Sequence, residues 1–375
     1  MYTNATEVVS NTTEDSLNVS DSTSTFSLPN RIPRFGPYQQ HANNADDFHF
    51  YGIAAVIPFG LLGNFFSICI VLLSPILRRT TTGQFLVALA ITDSTVLVGE
   101  LLRWFIDLNN DGDYYLPESW GLNIHDTSIV ACSITYFLRY GGGICSVWLT
   151  IAIAVERMLA VAFPLRISLI STLRRSRVAI LIIAVMSFSL STFSFWSFKI
   201  SRAPQCIISW GHYDEFYIWN RVMKPFVSLI IPGVVIAILT AVIIVLLYRA
   251  RKKRMSQLTK FARGQNIQGS RSGLSTEIQL TIMLVSVCVA TTALRGPYAI
   301  AYYFRQIYWN SYDCGRPTKT NAQTYVAMKV TEVFNVINYA INFILYCMSG
   351  RLFREQIKKK ICREKRAGSN CHTQK

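Results

Sequence analysis

Arg295 lies in the stretch TTALRGPYAI, inside an apolar run long enough to cross a bilayer. Glu100, Arg103, Arg139 and Glu332 interrupt other apolar runs, and Asp93 sits deeper in the run that holds Glu100. A lone charge at the centre of a membrane costs roughly 2.5–3.5 kcal/mol on insertion scales, so such residues are expected to find partners. The chemistry these types support is recognition of charge. Guanidinium forks take ligand or carboxylate oxygens, and carboxylates take guanidinium groups. Covalent chemistry is not indicated. The sequence contains no HExxH and no GxSxG, and its five histidines are scattered. His41, His49, His125 and His212 are all expected outside the membrane or near its surface. The chain is therefore not read as an enzyme.

These charges need elements that can carry them. Of 375 residues, 51% are hydrophobic and only 15% charged, and the apolar residues gather into runs of bilayer length. Seven such runs are read, at roughly 51–75, 84–108, 129–160, 176–199, 222–248, 276–305 and 323–348. The fold class is all-α, a seven-transmembrane helix bundle over 51–348. The net charge of +16 does not point to nucleic acid, because the basic residues sit between the runs. Arg78 and Arg79, Arg174 and Arg175, RARKKR at 249–254 and KKKICREKR at 358–366 mark alternate loops and the C-terminus as cytoplasmic. That basic tail suits anionic membrane lipids. A short amphipathic cytoplasmic helix is expected within 349–375, and Cys362 behind it is a candidate for palmitoylation or an ordinary free thiol. Residues 1–50 are rich in Ser, Thr and Asn and are read as a disordered extracellular tail, glycosylated at the sequons Asn4, Asn11 and Asn18. Cys132 and Cys206 both fall on the oxidising side, where a bridge is stable, and are expected to pair. A repeat-built transporter is disfavoured by the lack of an internal repeat.

The polar residues inside the runs form an ordered set. They are Gly63–Asn64, LAITD ending at Asp93, ERM at 156–158 followed by VAFPL, Pro232, Pro297, and NFILY at 342–346 followed by SGRLFR. The set resembles the rhodopsin-like G protein-coupled receptors from about residue 50 to 362. LRGPY and NYAINFILYCMSGRLFR are most similar to invertebrate neuropeptide receptors of the FMRFamide-receptor type. The resemblance implies a heterotrimeric G protein partner, arrestin, and an extracellular peptide or small ligand at a multi-pass plasma-membrane protein. It makes Arg157 the cytoplasmic switch, held by Glu156 and locked to Glu277, with Tyr346 in the same machinery and Leu165 docking on the G protein. It places Asp93, Ser146, Asn338 and Asn342 at a sodium site, for which a hydrogen-bonded network without an ion is the alternative. Departures are as clear. ERM lacks the usual tyrosine, Phe343 replaces the proline of NPxxY, and Arg295 stands where a tryptophan is usual. Val336 occupies the place of the retinal lysine.

On the resemblance, runs three, six and seven face one another across the ligand cavity. At about 1.5 Å per residue, Arg139 lies roughly 10 Å below Cys132, Glu332 roughly 13 Å below the start of run seven, and Arg295 roughly 15 Å inside Arg305. Arg295 is thus expected to share Glu332 with Arg139, while Glu100 and Arg103 extend the network; the rival reading pairs Arg295 with Asp93. Tyr140, Tyr298 and Arg305 complete the expected ligand site. Arg139 stands where amine receptors carry an aspartate, which disfavours a cationic amine. The aromatic loop around 200–221, with Trp210, Tyr213, Phe216, Tyr217 and Trp219, suits a peptide, and its Asp214 and Glu215 would draw a basic one. A small anionic, lipid-like or chemosensory ligand is the alternative. The lock yields a test. Glu277→Ala, at matched surface level, should raise ligand-independent nucleotide exchange; unchanged or lower basal signalling argues against the pairing with Arg157.

Overall fold

The computed structural model describes residues 36–110, 129–163, 166–200, 206–208, 218–261, 271–308, 312–313, 316–349 and 354. Asn4, Asn11, Asn18, Leu165 and Cys362 lie outside the described residues, as do the side chains of Cys206 and Glu277. The long helices are α1 (Gln39–Leu73), α2 (Thr81–Asn110), α3 (Ile129–Ala162), α4 (Leu173–Ser189), α5 (Ile231–Phe261), α6 (Arg271–Tyr308) and α7 (Lys319–Ala340), with a shorter α8 (Asn342–Ser349). Two antiparallel ribbons, Phe198–Ile200 with Cys206–Ile208 and Tyr312–Asp313 with Arg316–Pro317, lie in the connections. Six segments are long and apolar enough to cross a membrane, and α7 with α8 make a seventh if that bent pair is one span. The outward faces carry large apolar side chains such as Phe59, Leu181, Ile238 and Ile300, which need lipid rather than water around them.

Two boundaries differ from the sequence expectation. Helix α1 begins at Gln39, so the extended tail does not reach residue 50. The segment QQHANNADDFHF reads as polar, yet Ala42, Ala45, His49 and Ile53 recur at helical spacing and are all buried. Ala42 packs with Ala322 and Tyr325 of α7. A narrow stripe of small residues thus extends the helix where average polarity hides it. The seventh span is bent by 56° between α7 and α8, although no proline stands there. A continuous helix would present the Tyr339 carbonyl to the N–H of Phe343. Here it accepts from Asn64 Nδ2 at 3.1 Å, and a side chain inserted into the ladder is a known cause of a kink.

The bundle core runs through both halves. In the half that holds Arg157, Leu86, Leu89, Leu149, Ile153, Met283, Leu284 and Tyr346 pack together. In the opposite half, termed the outer half, Ile53, Ile57, Leu97, Val333 and Val336 join α1, α2 and α7. Glycine permits the closest approaches, as in other membrane bundles. A Cβ on Gly60 would stand 2.6 Å from Leu97 and 2.7 Å from Ala340 Cβ, whereas one on Gly296 meets nothing within 4 Å. Gly60→Ala is therefore predicted to destabilise the bundle by about 1–3 kcal/mol through overpacking. Gly296→Ala should leave the midpoint of thermal unfolding in detergent unlowered. Equal behaviour of the two variants would show that α1 does not need this close approach.

Candidate functional site

The outer half of the bundle holds a cluster of charges from four helices. Arg139 of α3 donates from Nε to Glu100 Oε1 of α2 and from one terminal nitrogen to Glu332 Oε1 of α7. Arg103 donates to the same Glu332 oxygen at 3.0 Å and lies 3.7 Å from Glu100 Oε2. His49 of α1 places Nε2 3.2 Å from the other Glu332 oxygen. Glycine sets the spacing here too. A Cβ on Gly99 would lie 3.0 Å from the Arg139 backbone nitrogen, so α2 and α3 approach closely just where the charges cross. Glu100 and Glu332 are only 3% and 4% exposed, so removing either partner of these pairs would strand a buried charge.

Arg295 departs from expectation. It reaches neither Glu332 nor Asp93. One terminal nitrogen donates to the Tyr339 hydroxyl of α7 at 3.0 Å, and the other to the carbonyl of Ser228 at 3.0 Å. Its guanidinium also lies 5.5 Å from the Tyr339 ring centre. The reason is in the backbone before α5. Pro232 has no N–H. In an α-helix that N–H would serve the Ser228 carbonyl, and in the wider π-helix it would serve that of Val227. The chain here is π-helical over Trp219–Met223 and Pro225–Ile230. The Val227 carbonyl accepts instead from Trp148 Nε1 at 3.1 Å, while Arg295 takes Ser228. The missing N–H of Pro232, together with the change from π- to α-helical pairing at Ile231, leaves the Val227 and Ser228 carbonyls to side chains of α3 and α6, as buried backbone groups require.

A cavity of about 50 Å³ lies among these groups, lined in part by Glu100, Arg139, Tyr140, Lys224, Arg295 and Tyr298. Of the expected ligand residues, Arg103, Glu332 and Arg305 do not line it. Arg305 instead donates to Asn321 Oδ1 at 2.9 Å and lies over the Tyr325 ring, at the outer end of α6 and α7. Above the cavity, Tyr140 stacks on Tyr136 and meets Trp219 edge-on. Sequence reasoning missed Lys224, Tyr339 and the role of His49. Lys224, beside Pro225 at the start of an apolar run, could have been found by the same search for charges; His49 was hidden by its polar neighbours.

Deeper in, Asp93 accepts from Ser146 Oγ at 2.5 Å and from Asn342 Nδ2 at 2.6 Å. Asn338 is buried but does not bond Asp93. The carboxylate and hydroxyl oxygens suit a hard cation, but both Asp93 oxygens are engaged, and Asn342 presents a nitrogen that cannot ligate one. The geometry in hand is a closed hydrogen-bonded network, and a sodium ion would require Asn342 to turn its oxygen inward. At the opposite end of the bundle Arg157 lies 3.3 Å from Glu156 Oε1 and donates to Thr82 Oγ1 at 2.7 Å. Glu156 Oε1 accepts from Ser171 at 3.0 Å and also from Thr81. Tyr346 is buried in the core. Arg157 is thus held to α2 and to its own neighbour.

Residues 63–346 match the family model described as 7 transmembrane receptor (rhodopsin family). Sex peptide receptor-related protein 2 of Caenorhabditis elegans is 21% identical over 309 residues, which cover 76% of this chain and 65% of that protein. The chain therefore spans slightly less than two thirds of that relative. Another Caenorhabditis elegans protein, named "Putative G-protein coupled receptor F59B2.13", is 24% identical over 331 residues, 81% of this chain and 72% of its own length.

Two measurements test the geometry. Glu332→Ala should cost about 3–5 kcal/mol of stability, because it leaves Arg103 and Arg139 to share the single carboxylate of Glu100; a near-neutral effect on thermal unfolding would show that the cluster does not hold the helices. For Arg295, a double-mutant cycle with Pro232 is decisive. Pro232→Ala restores the missing N–H, so Arg295→Gln should be less costly in that background, with a coupling of about 0.5–3 kcal/mol. Strict additivity would mean that Arg295 is not there to answer the Ser228 carbonyl.

Proposed function

The chain belongs to the rhodopsin family of seven-transmembrane receptors, and on that premise we propose that it is a neuropeptide receptor, of the kind typified by the invertebrate FMRFamide receptors, that activates a heterotrimeric G protein. Members of this family are receptors rather than enzymes and signal through G proteins from the plasma membrane. The observation that carries the finer reading is the outer cavity. Its base is set by Arg139 between two carboxylates, and Lys224 and Arg295 add positive charge to its lining, which disfavours a cationic amine. Tyr140 and Trp219 line it with aromatic rings, with Phe193 packed against both, and aromatic anchors are common in peptide recognition. One relative is itself named for a peptide receptor.

The orientation proposed has the N-terminus outside, carrying glycans on Asn4, Asn11 and Asn18, and the C-terminus in the cytoplasm with Cys362 acylated at the inner leaflet. Ligand binding is assigned to Glu100, Arg103, Arg139, Tyr140, Arg295, Tyr298, Arg305 and Glu332. Contact with the G protein, and then with arrestin, is assigned to the cytoplasmic face around Arg157 and Leu165. Release of Arg157 from Glu156 and Thr82 is the step that would open that face. The outer bridge proposed is Cys132–Cys206. Its support is that Cys132 is buried and disulfide-bonded, at the outer end of α3.

The test of function is a screen of amidated neuropeptides against the expressed receptor with a promiscuous G protein readout. Agonist-dependent nucleotide exchange is expected; a receptor silent to peptides but responsive to small organic ligands would overturn the neuropeptide reading. Cys206→Ser should lower surface expression and ligand response together. Normal values of both would refute the bridge.

A further inference from the structure

The charges of the outer cluster cancel. Glu100 and Glu332 answer Arg103 and Arg139, two against two. Two cations lining the cavity, Lys224 and Arg295, stand outside this sum. Lys224 is partly buried, and its Nζ lies 4.5 Å from the ring centre of Tyr302 and 5.2 Å from that of Tyr140. Among the described residues it forms no ion pair. Two ring faces contribute about 0.5–2 kcal/mol each, less than the several kcal/mol that taking an ammonium out of water costs. Arg295 lines the same cavity, and its bonds go to a hydroxyl and a carbonyl, neither of which neutralises it. The nearby Asp93 feels the Arg295 charge, but its two oxygens are bonded elsewhere.

The backbone supports the same point. Lys224 joins the two π-helical stretches Trp219–Met223 and Pro225–Ile230. Such turns are rare and concentrate at functional sites, because the wider coil redirects a side chain. The cavity, at about 50 Å³, exceeds the ~10–15 Å³ needed to admit one water and cannot hold a whole peptide. It has room for an acid group, with apolar walls at Leu229 and Ile144 and the aromatic Tyr298 beside it.

We infer that the cavity takes an anionic oxygen group of the ligand, a carboxylate or its equivalent, seated on Lys224 with Arg295 beneath. This rests on the cavity being the ligand pocket and deepens that reading: the ligand is an acid-bearing molecule with aromatic or apolar substituents next to the acid. The acid supplies the counter-charge that the described residues leave out. The remainder of the ligand extends outward past Tyr140 and Trp219.

The test uses the full chain in lipid nanodiscs and reads thermal unfolding. Two matched probe pairs are compared at millimolar concentration: 3-phenylpropionate with 3-phenylpropanamide, and N-acetyl-Phe-Asp-amide with N-acetyl-Phe-Asn-amide. At least one acid should raise the midpoint by about 2 °C while its amide does not. The shift should persist in Lys224→Arg and vanish in Lys224→Met and Lys224→Gln. A larger shift with the peptide acid assigns the group to a peptide side chain; a larger shift with phenylpropionate assigns it to a small organic acid. Equal shifts for acid and amide, no shift with either acid, or an acid shift that survives Lys224→Met overturns the inference. Neither agonist nor G protein enters this measurement, so its failure is distinct from failure of the neuropeptide screen.

Discussion

The interior of a bilayer offers no water to a stranded charge or an unpaired peptide group, so each one the helices bring inward must be answered by the bundle itself. The arrangement of this protein follows from that constraint. Arg139 is the clearest case. Its flat guanidinium can donate in two directions at once, and it does so to Glu100 of α2 and Glu332 of α7. His49 then brings α1 to the same carboxylate. Four helices therefore meet at one set of oxygens, and α2 and α3 can come close enough only because Gly99 has no side chain.

The same constraint explains the region around α5. A proline in a spanning helix leaves carbonyls without donors, and in lipid these must be served from elsewhere. Trp148 and Arg295 serve the carbonyls of Val227 and Ser228. Arg295 thus ties α6 to the backbone preceding α5 and, through the Tyr339 hydroxyl, to α7. Where related receptors place a tryptophan, this chain replaces ring packing with two directed hydrogen bonds. Tyr339 sits on the turn whose carbonyl Asn64 takes at the bend between α7 and α8. Arg295 and that bend therefore share one residue, and a shift of α6 would be felt at the point where the seventh span changes direction.

Polar groups form three levels along the bundle. The outer cluster joins α1, α2, α3 and α7, the middle one joins Asp93 to Ser146 and Asn342, and the inner one holds Arg157 and Glu156 against Thr81, Thr82 and Ser171. Apolar layers separate them, with Leu97 and Val336 above and Leu86, Leu149 and Met283 below. Each level is satisfied largely within itself, as buried polar networks must be to offset their desolvation.

The sequence by itself determined which segments cross the membrane, because a bilayer demands about 20 apolar residues and few stretches of this chain meet that demand. A fixed helical rise per residue led to the expectation that Arg139, Glu332 and Arg295 share one depth; the structure joins Arg139 to Glu332 but Arg295 to Tyr339. The family was legible for a similar reason: its markers, from Asn64 and Asp93 to Glu156–Arg157 and Tyr346, are local in the chain. The partners were decided only by the tertiary structure. Depth is one coordinate; which way a side chain faces depends on how each helix is rotated and packed. Arg295 turns toward α5, where Pro232 leaves a carbonyl open, and that meeting joins residues 67 positions apart. His49 was assigned to a polar tail until packing of Ala42 and Ala45 on α7 extended the helix and brought it beside Glu332. Composition averages over all faces of a helix, whereas burial selects one.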